Sequence, residues 1–185
     1  MITVKNLKKS FDDKIIFDGF DLCLPDKGAY YIAGPSGSGK TTLLRIIAGL
    51  DTEYEGTVKH DGVISYVFQE NRLIPSLSAF GNVFEVCHDK EKAMTLLKEV
   101  GLENDAGEYP AQLSGGMNRR VAIARALAFD HDILLLDEPF TALDGEIKNS
   151  VISLIKELEA DRLILLVSHD EGEAEALSCK RVQFR

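Results

Sequence analysis

Apolar positions recur along this chain with two alternating periods. At residues 20–24, Phe20, Leu22 and Leu24 alternate with Asp21 and Cys23, the period-two signature of a half-buried strand. With the short ITV run at 2–4 they predict a small antiparallel flank. The runs AYYIA (29–33), VISYVF (63–68), ILLLD (133–137) and LILLV (163–167) are continuously apolar, as strands covered on both faces must be. Between them the period lengthens towards 3.6. TTLLRIIAGL reads as a helix that Gly49 terminates, and Ala93, Leu96, Leu97 and Val100 share a face that Gly101 closes. MNRRVAIARALA (117–128) is rich in helix formers, and Ile147, Val151, Leu154, Ile155 and Leu158 make one stripe of a helix over 146–159. Strands alternating with helices predict an α/β domain with a mostly parallel central sheet, the antiparallel flank, and a compact helical subdomain at about 73–128 inserted in the core. Ligands of such a sheet sit beyond the carboxyl ends of its strands.

At 185 residues, the chain has the length of one domain, spanning 1–185. Acidic residues (30) outnumber basic ones (21), and a net charge of −9 argues against coating nucleic acid or anionic lipid through the overall field, so no nucleic-acid partner is expected. Cys23, Cys87 and Cys179 lie far apart without a CxxC pair, which predicts reduced, largely structural thiols rather than a zinc cage or disulfide framework. MITVKNLKKS lacks the apolar run of a secretory signal, and no stretch approaches the roughly 18 apolar residues of a membrane span. The expected location is cytoplasmic, and any membrane work proceeds through a partner.

The candidate chemistry lies at the predicted strand ends. Gly34-Pro35-Ser36-Gly37-Ser38-Gly39-Lys40-Thr41 matches G-x-x-x-x-G-K-[ST] in full, between a predicted buried strand and a predicted helix. Backbone N–H groups and a helix dipole then converge on one anionic spot, with Lys40 reaching the β- and γ-phosphates and Thr41 placing its hydroxyl on Mg²⁺. This makes the fold a P-loop nucleoside triphosphatase. Asp137, ending ILLLD, is placed to hold the magnesium, and the adjacent Glu138 to polarise an attacking water as general base. Gln69 and His169 end two further strands on the same rim; Gln69 is suited to Mg²⁺ or the lytic water, and His169 to the γ-phosphate. Leu113-Ser114-Gly115-Gly116-Met117 opens another helix with the composition of an anion-binding N-terminus, but with no lysine or strand-borne carboxylate of its own. It is half a site, seeking a nucleotide bound elsewhere.

In this order, the motifs resemble those of the nucleotide-binding subunits of ATP-binding cassette (ABC) transporters. The resemblance spans nearly the whole chain: Phe11 at the adenine-stacking position, GPSGSGKTT, Gln69 as the Q-loop, LSGGM as the signature, ILLLDE as Walker B, Ala142-Leu143-Asp144 as the D-loop, and Ser168-His169-Asp170 as the switch. It implies that Ser38 and Lys40 contact the terminal phosphates of ATP and Thr42 the α-phosphate. Thr41, Gln69 and Asp137 would bind Mg²⁺ or its waters. It also implies that Ser114 and Gly116 contact the γ-phosphate of ATP bound to a second copy or paralogue, with Asp144 coupling the two sites of a head-to-tail dimer. An ATP-hydrolysing subunit acting on separate transmembrane permease subunits, peripheral at the inner face of the cell membrane, is the expected function.

The stretch from Gln69 to Val83, with Arg72, Leu73 and Pro75, is similar to that of nitrate, sulfonate, taurine and thiamine-precursor importers. Only 44 residues separate Gln69 from Ser114, a compact helical region for the family. With 16 residues after His169, no C-terminal regulatory domain is expected. Phe11 stands where tyrosine is commoner, which keeps the stacking ring without its hydroxyl. The alternative function is a soluble ABC ATPase of the DNA-repair, ribosome or iron–sulfur-assembly kind; the acidic chain has neither a coiled-coil insertion nor a tandem cassette.

Overall fold

The computed structural model describes residues 1–157 and 160–183. Strands β1 (Ile2–Phe11), β2 (Lys14–Leu24) and β4 (Glu55–His60) form an antiparallel sheet in the order β2-β1-β4. Strands β5 (Ile64–Val67), β6 (Ile133–Asp137), β7 (Leu163–Val167), β3 (Gly28–Ala33) and β8 (Lys180–Gln183) form, in that spatial order, a parallel sheet. Among the described residues, the helices α1 (Lys40–Ile47), α2 (Ala79–Cys87), α3 (Lys90–Glu99), α4 (Gly115–Ala128), α5 (Gly145–Lys156) and α6 (Glu171–Ala176) connect them.

The apolar runs divide between two cores, because successive side chains of a strand point to opposite faces. Tyr31, Ala33, Leu134, Leu136, Ile164 and Leu166 pack with the helices α2 to α5, whereas Tyr30, Ile32, Ile133, Leu135, Leu163 and Leu165 pack with α1 and the antiparallel sheet. Helices α2, α3 and α4 pack against one another. α4 is buried on nearly every side, including Val121, Ala122, Ile123, Ala124 and Leu127. Buried Asn82 organises the turn that enters α2: its amide donates to the carbonyls of Ile74, Leu77 and Ser78, and its oxygen accepts from Ile74 N.

Where expectation and structure differ, polar edges are the reason. The ITV and FDLCL runs are parts of one long hairpin with register shifts, whose outer face is charged and so hides the pattern. β4, α6 and β8 have largely exposed or acidic sequences and give little periodic signal. The last two residues of the helix expected over 146–159, Leu158 among them, lie outside the described residues. Cys23 is exposed rather than structural, because it points outward from β2 between buried Leu22 and Leu24; Cys87 and Cys179 are half-buried. Among the described residues, no helix is long and apolar enough to cross a membrane.

Candidate ATP-hydrolysis site

Register places the chemistry on one rim. Val67 pairs with Leu136, Asp137 with Val167, and Tyr31 with Leu166, so Gln69, Glu138, His169 and the loop after Ala33 all leave the parallel sheet at its carboxyl edge. A cavity of about 390 Å³ there is lined by Phe11, Ser36, Gly37, Gly39, Lys40, Thr41, Thr42, Gln69, Glu138 and His169, residues drawn from five separate segments. Gly34 and Pro35 line the adjoining cavity of about 450 Å³, which shares Ser36 and His169 with the first. Phe11, at the end of β1, is 48% exposed and has the Lys9 ammonium 4.7 Å from its ring centroid on one side. Lys14, which pairs with Phe11 across the β1–β2 hairpin, also lines the cavity.

The 34–39 loop is built to take an anion. Gly37 and Gly39 have φ of +73° and +98°, and a Cβ on Gly39 would lie 2.3 Å from Ile16 Cγ2, so only glycine turns the chain into α1 here. Gly39 supplies no side-chain acceptor to the first N–H groups of α1, and the buried Ser38 Oγ has no partner. Lys40, 5% exposed, arches over the loop and donates to the carbonyls of Gly34 (2.8 Å) and Pro35 (2.9 Å). Unspent donors at a helix N-terminus beside a captive ammonium fit the terminal phosphates of a nucleotide.

A hard cation fits beside them. Thr41 Oγ1 donates to Asp137 Oδ1 at 3.0 Å, and Tyr66 donates to Asp137 Oδ2 at 3.2 Å. Burial pushes the Asp137 carboxyl above its ordinary range, against the pull of Thr41, Tyr66 and Arg119, and pushes Tyr66 further up with Asp137 beside it. Among the described residues no group of three His, Cys, Asp or Glu side chains is arranged to hold a metal ion by itself. One carboxylate and one hydroxyl, completed by phosphates and waters, are the ligands Mg²⁺ takes when it travels with a nucleotide.

Glu138 stands where β6 leaves the sheet, in a left-handed conformation at φ +49°. Its N–H still bonds Val167 O at 2.9 Å, while its carboxylate meets His169 twice, accepting from the backbone N–H at 3.2 Å and lying 3.2 Å from Nε2. Burial raises its pKa; His169, by charge and by its backbone N–H, draws it down again. Buried Ser168 donates to Glu173, and Asp170 caps α6.

The signature residues lie outside both cavities. Ser114 caps α4 by accepting from Met117 N at 3.2 Å, and both Ser114 and Gly115 are exposed. Asp144 caps α5, accepting from Ile147 N at 3.3 Å. Gly116 packs so closely on the 142–144 loop that a Cβ would lie 2.6 Å from Ala142 O.

Three residues escaped the sequence reading: Tyr66 and Lys14, just described, and Arg119. Arg119 is 3% exposed and spends its guanidinium on the carbonyls of Phe68, Gln69, Asp137, Glu138 and Pro139. Its signal was the adjacent pair Arg119-Arg120 among the three arginines of α4; periodicity shows such a helix but not which arginine turns inward.

A P-loop, a strand-end carboxylate pair, a switch histidine and a detached Ser-Gly-Gly helix start define an ABC-type ATPase. Residues 17–141 match the family model described as ABC transporter, and the chain belongs to that family. It is 40% identical to the aliphatic sulfonates import ATP-binding protein SsuB 2 of Frankia alni, covering 100% of this chain and 77% of that one. It is 42% identical to the corresponding SsuB 1 of Pseudomonas syringae pv. syringae, over 92% of this chain and 74% of that protein. Among solved structures, the ATP-binding cassette MJ0796, as a dimer in a post-hydrolysis state bound to ADP and Pi, superposes with a TM-score of 0.90 at 32% identity, covering 100% of this chain and 94% of that one. The protein is thus an ATP-binding, ATP-hydrolysing transport subunit. The comparisons lend nothing to the soluble alternative.

Proposed function

We propose that this chain hydrolyses Mg·ATP between two copies, or between itself and a paralogue, to drive import of an aliphatic sulfonate through separate permease subunits. The observation that carries the reading is the meeting of Lys40, Thr41, Gln69, Glu138 and His169 around one cavity, with Asp137 bonded to Thr41 at its wall. In it, Lys40 and Ser38 hold the terminal phosphates, Thr42 the α-phosphate, and Phe11 stacks on adenine. Mg²⁺ would be held by Thr41, Gln69 and Asp137, and would neutralise charge on the β- and γ-phosphates. Glu138 takes a proton from the attacking water, and His169 both orients that carboxylate and donates to the γ-phosphate. The Ser114–Gly116 end of α4, exposed at Ser114 and Gly115, closes the site of the second copy, with Asp144 beside it.

The permease contact is assigned to a groove of about 320 Å³ between β5, α2 and α4, lined by Phe68, Ile74, Glu85, Val86, Arg125 and Phe129. It adjoins the Gln69 loop, so an occupant there touches the segment that reaches the nucleotide. Residues 73–128 then act as the inserted helical subdomain that carries this groove. The chain is peripheral to the membrane, at the face where those permeases meet it. The sulfonate class rests on the relatives named for it. Purification from detergent-solubilised membranes should bring down a polytopic subunit, and that complex in vesicles should accumulate an alkanesulfonate with ATP. Copurified ribosomes or DNA, without a membrane protein, would overturn the transport reading; ATP-driven uptake of nitrate alone would overturn the substrate.

A further inference from the structure

Like Lys40, a second cation of this site, Arg119, buries its charge against oxygen atoms other than carboxylates. Arg119 carries five N–H donors, and all point at oxygen atoms of two loops. Nε bonds Pro139 O at 2.8 Å, and Nη2 bonds Asp137 O at 2.9 Å and Glu138 O at 2.6 Å. Nη1 bonds Phe68 O, Gln69 O at 3.3 Å and Asn71 Oδ1 at 3.4 Å. A buried guanidinium is costly to desolvate, and its burial lowers its pKa although the Asp137 and Glu138 charges draw it up. A bulky apolar side chain would fill the space without that cost. The bonds it makes are therefore the reason to look for a role.

Those bonds fall on the two segments that must agree. On one side they fix the carbonyls around Glu138, the residue whose left-handed φ of +49° aims its carboxylate at His169. On the other they fix the peptides that carry Gln69. Arg125, six residues further along α4, holds the same loop by donating to Arg72 O at 2.8 Å and Asn71 O at 3.1 Å, and it lines the groove beside α2. The 68–72 segment thus has few backbone oxygens left to move without disturbing α4.

We propose that Arg119 is a positioning residue that locks the Gln69 loop to the Glu138 backbone, so that a displacement of the loop at the groove is passed to the carboxylate. The inference rests on the reading of Glu138 as base. The P-loop shares none of Arg119's bonds, so ATP binding should be spared.

In the purified chain, Arg119→Met should lower kcat by about 10- to 100-fold, the cost of a catalytic group misplaced by about an ångström, while the ATP dissociation constant changes by no more than about threefold. Arg119→Lys, with three donors that cannot span both segments, should fall between; it carries the test if the methionine variant does not fold. Arg120→Met is the control. It removes an arginine of the same helix that bonds the carbonyls of Val100 and Gly101 at 2.9 Å, rather than the segments that carry Gln69 and Glu138, and should keep kcat. Parental kcat in a folded Arg119 variant, an equal loss in Arg120→Met, or a loss of ATP affinity matching the loss of kcat would each overturn the proposal. A Glu138→Gln protein hydrolysing at the parental rate would instead overturn the assignment of the base, whatever Arg119 does.

Discussion

At the scale of single residues, two adjacent carboxylates are separated by their surroundings. Asp137 faces two hydroxyl donors in a closed wall, whereas Glu138 opens on the cavity and on His169. Both are raised by burial, but only Glu138 is placed to meet water. A base must be ionised to act, so kcat should fall as pH drops through the raised Glu138 pKa, at a pH above that of an ordinary glutamate. Glu138→Gln keeps the shape and cannot take the proton; its kcat should fall by about 10² to 10⁴ and lose that acid limb, while ATP holds the dimer closed in light scattering. The sign for stability is opposite. A raised carboxyl pKa means the folded state prefers the protonated form, so stability is lost as pH rises from the ordinary value through the raised one. The glutamine variant, which never ionises, should therefore melt no lower than the parent at neutral pH. A variant with parental turnover or an unchanged acid limb would remove Glu138 from the chemistry.

At the scale of elements, α4 joins two functions: its N-terminal end is an exposed Ser-Gly-Gly start, and its first turns carry the buried Arg119. Ser114→Arg should abolish hydrolysis by filling the space in front of that start, while leaving ATP binding to the monomer mostly intact. The lost cap costs about 1 kcal/mol, or roughly 2–4 °C in Tm for a chain of this size. Full activity in that variant would show that nothing enters there. The elements around the site were largely legible. AYYIA, ILLLD and LILLV announce strands because both their faces are covered, and the P-loop announces itself because glycine alone adopts its turns. β4, α6 and β8 were not legible, because their partners rather than their own apolar spacing define them. Tyr66 and Arg119 were missed for a related reason: their hydrogen bonds reach 71 residues, in one case, and 51 in the other, along the chain. No local pattern encodes such a partner.

At the scale of the whole molecule, one chain holds a nucleotide cavity and, elsewhere, a helix start with no phosphate-binding lysine, and in the proposed function the two halves complete each other across a pair. Isologous pairing of one face satisfies both at once. A lone subunit should be nearly inactive, and specific activity should rise with protein concentration. Mixing variants gives the sharper test. In a heterodimer of Lys40→Ala with Ser114→Arg, both lesions fall on one site, and the other pairs a sound Lys40 with a sound Ser114. If the sites fire independently, the mixture should regain activity that neither variant shows alone, up to about a quarter of the parental rate when the two chains mix at random and equally. If they must fire together, no activity returns, and the concentration dependence of the parent decides the matter. Parental activity that is independent of concentration in a strictly monomeric sample would sink the shared site, because no single chain brings Ser114 to its own Lys40 cavity.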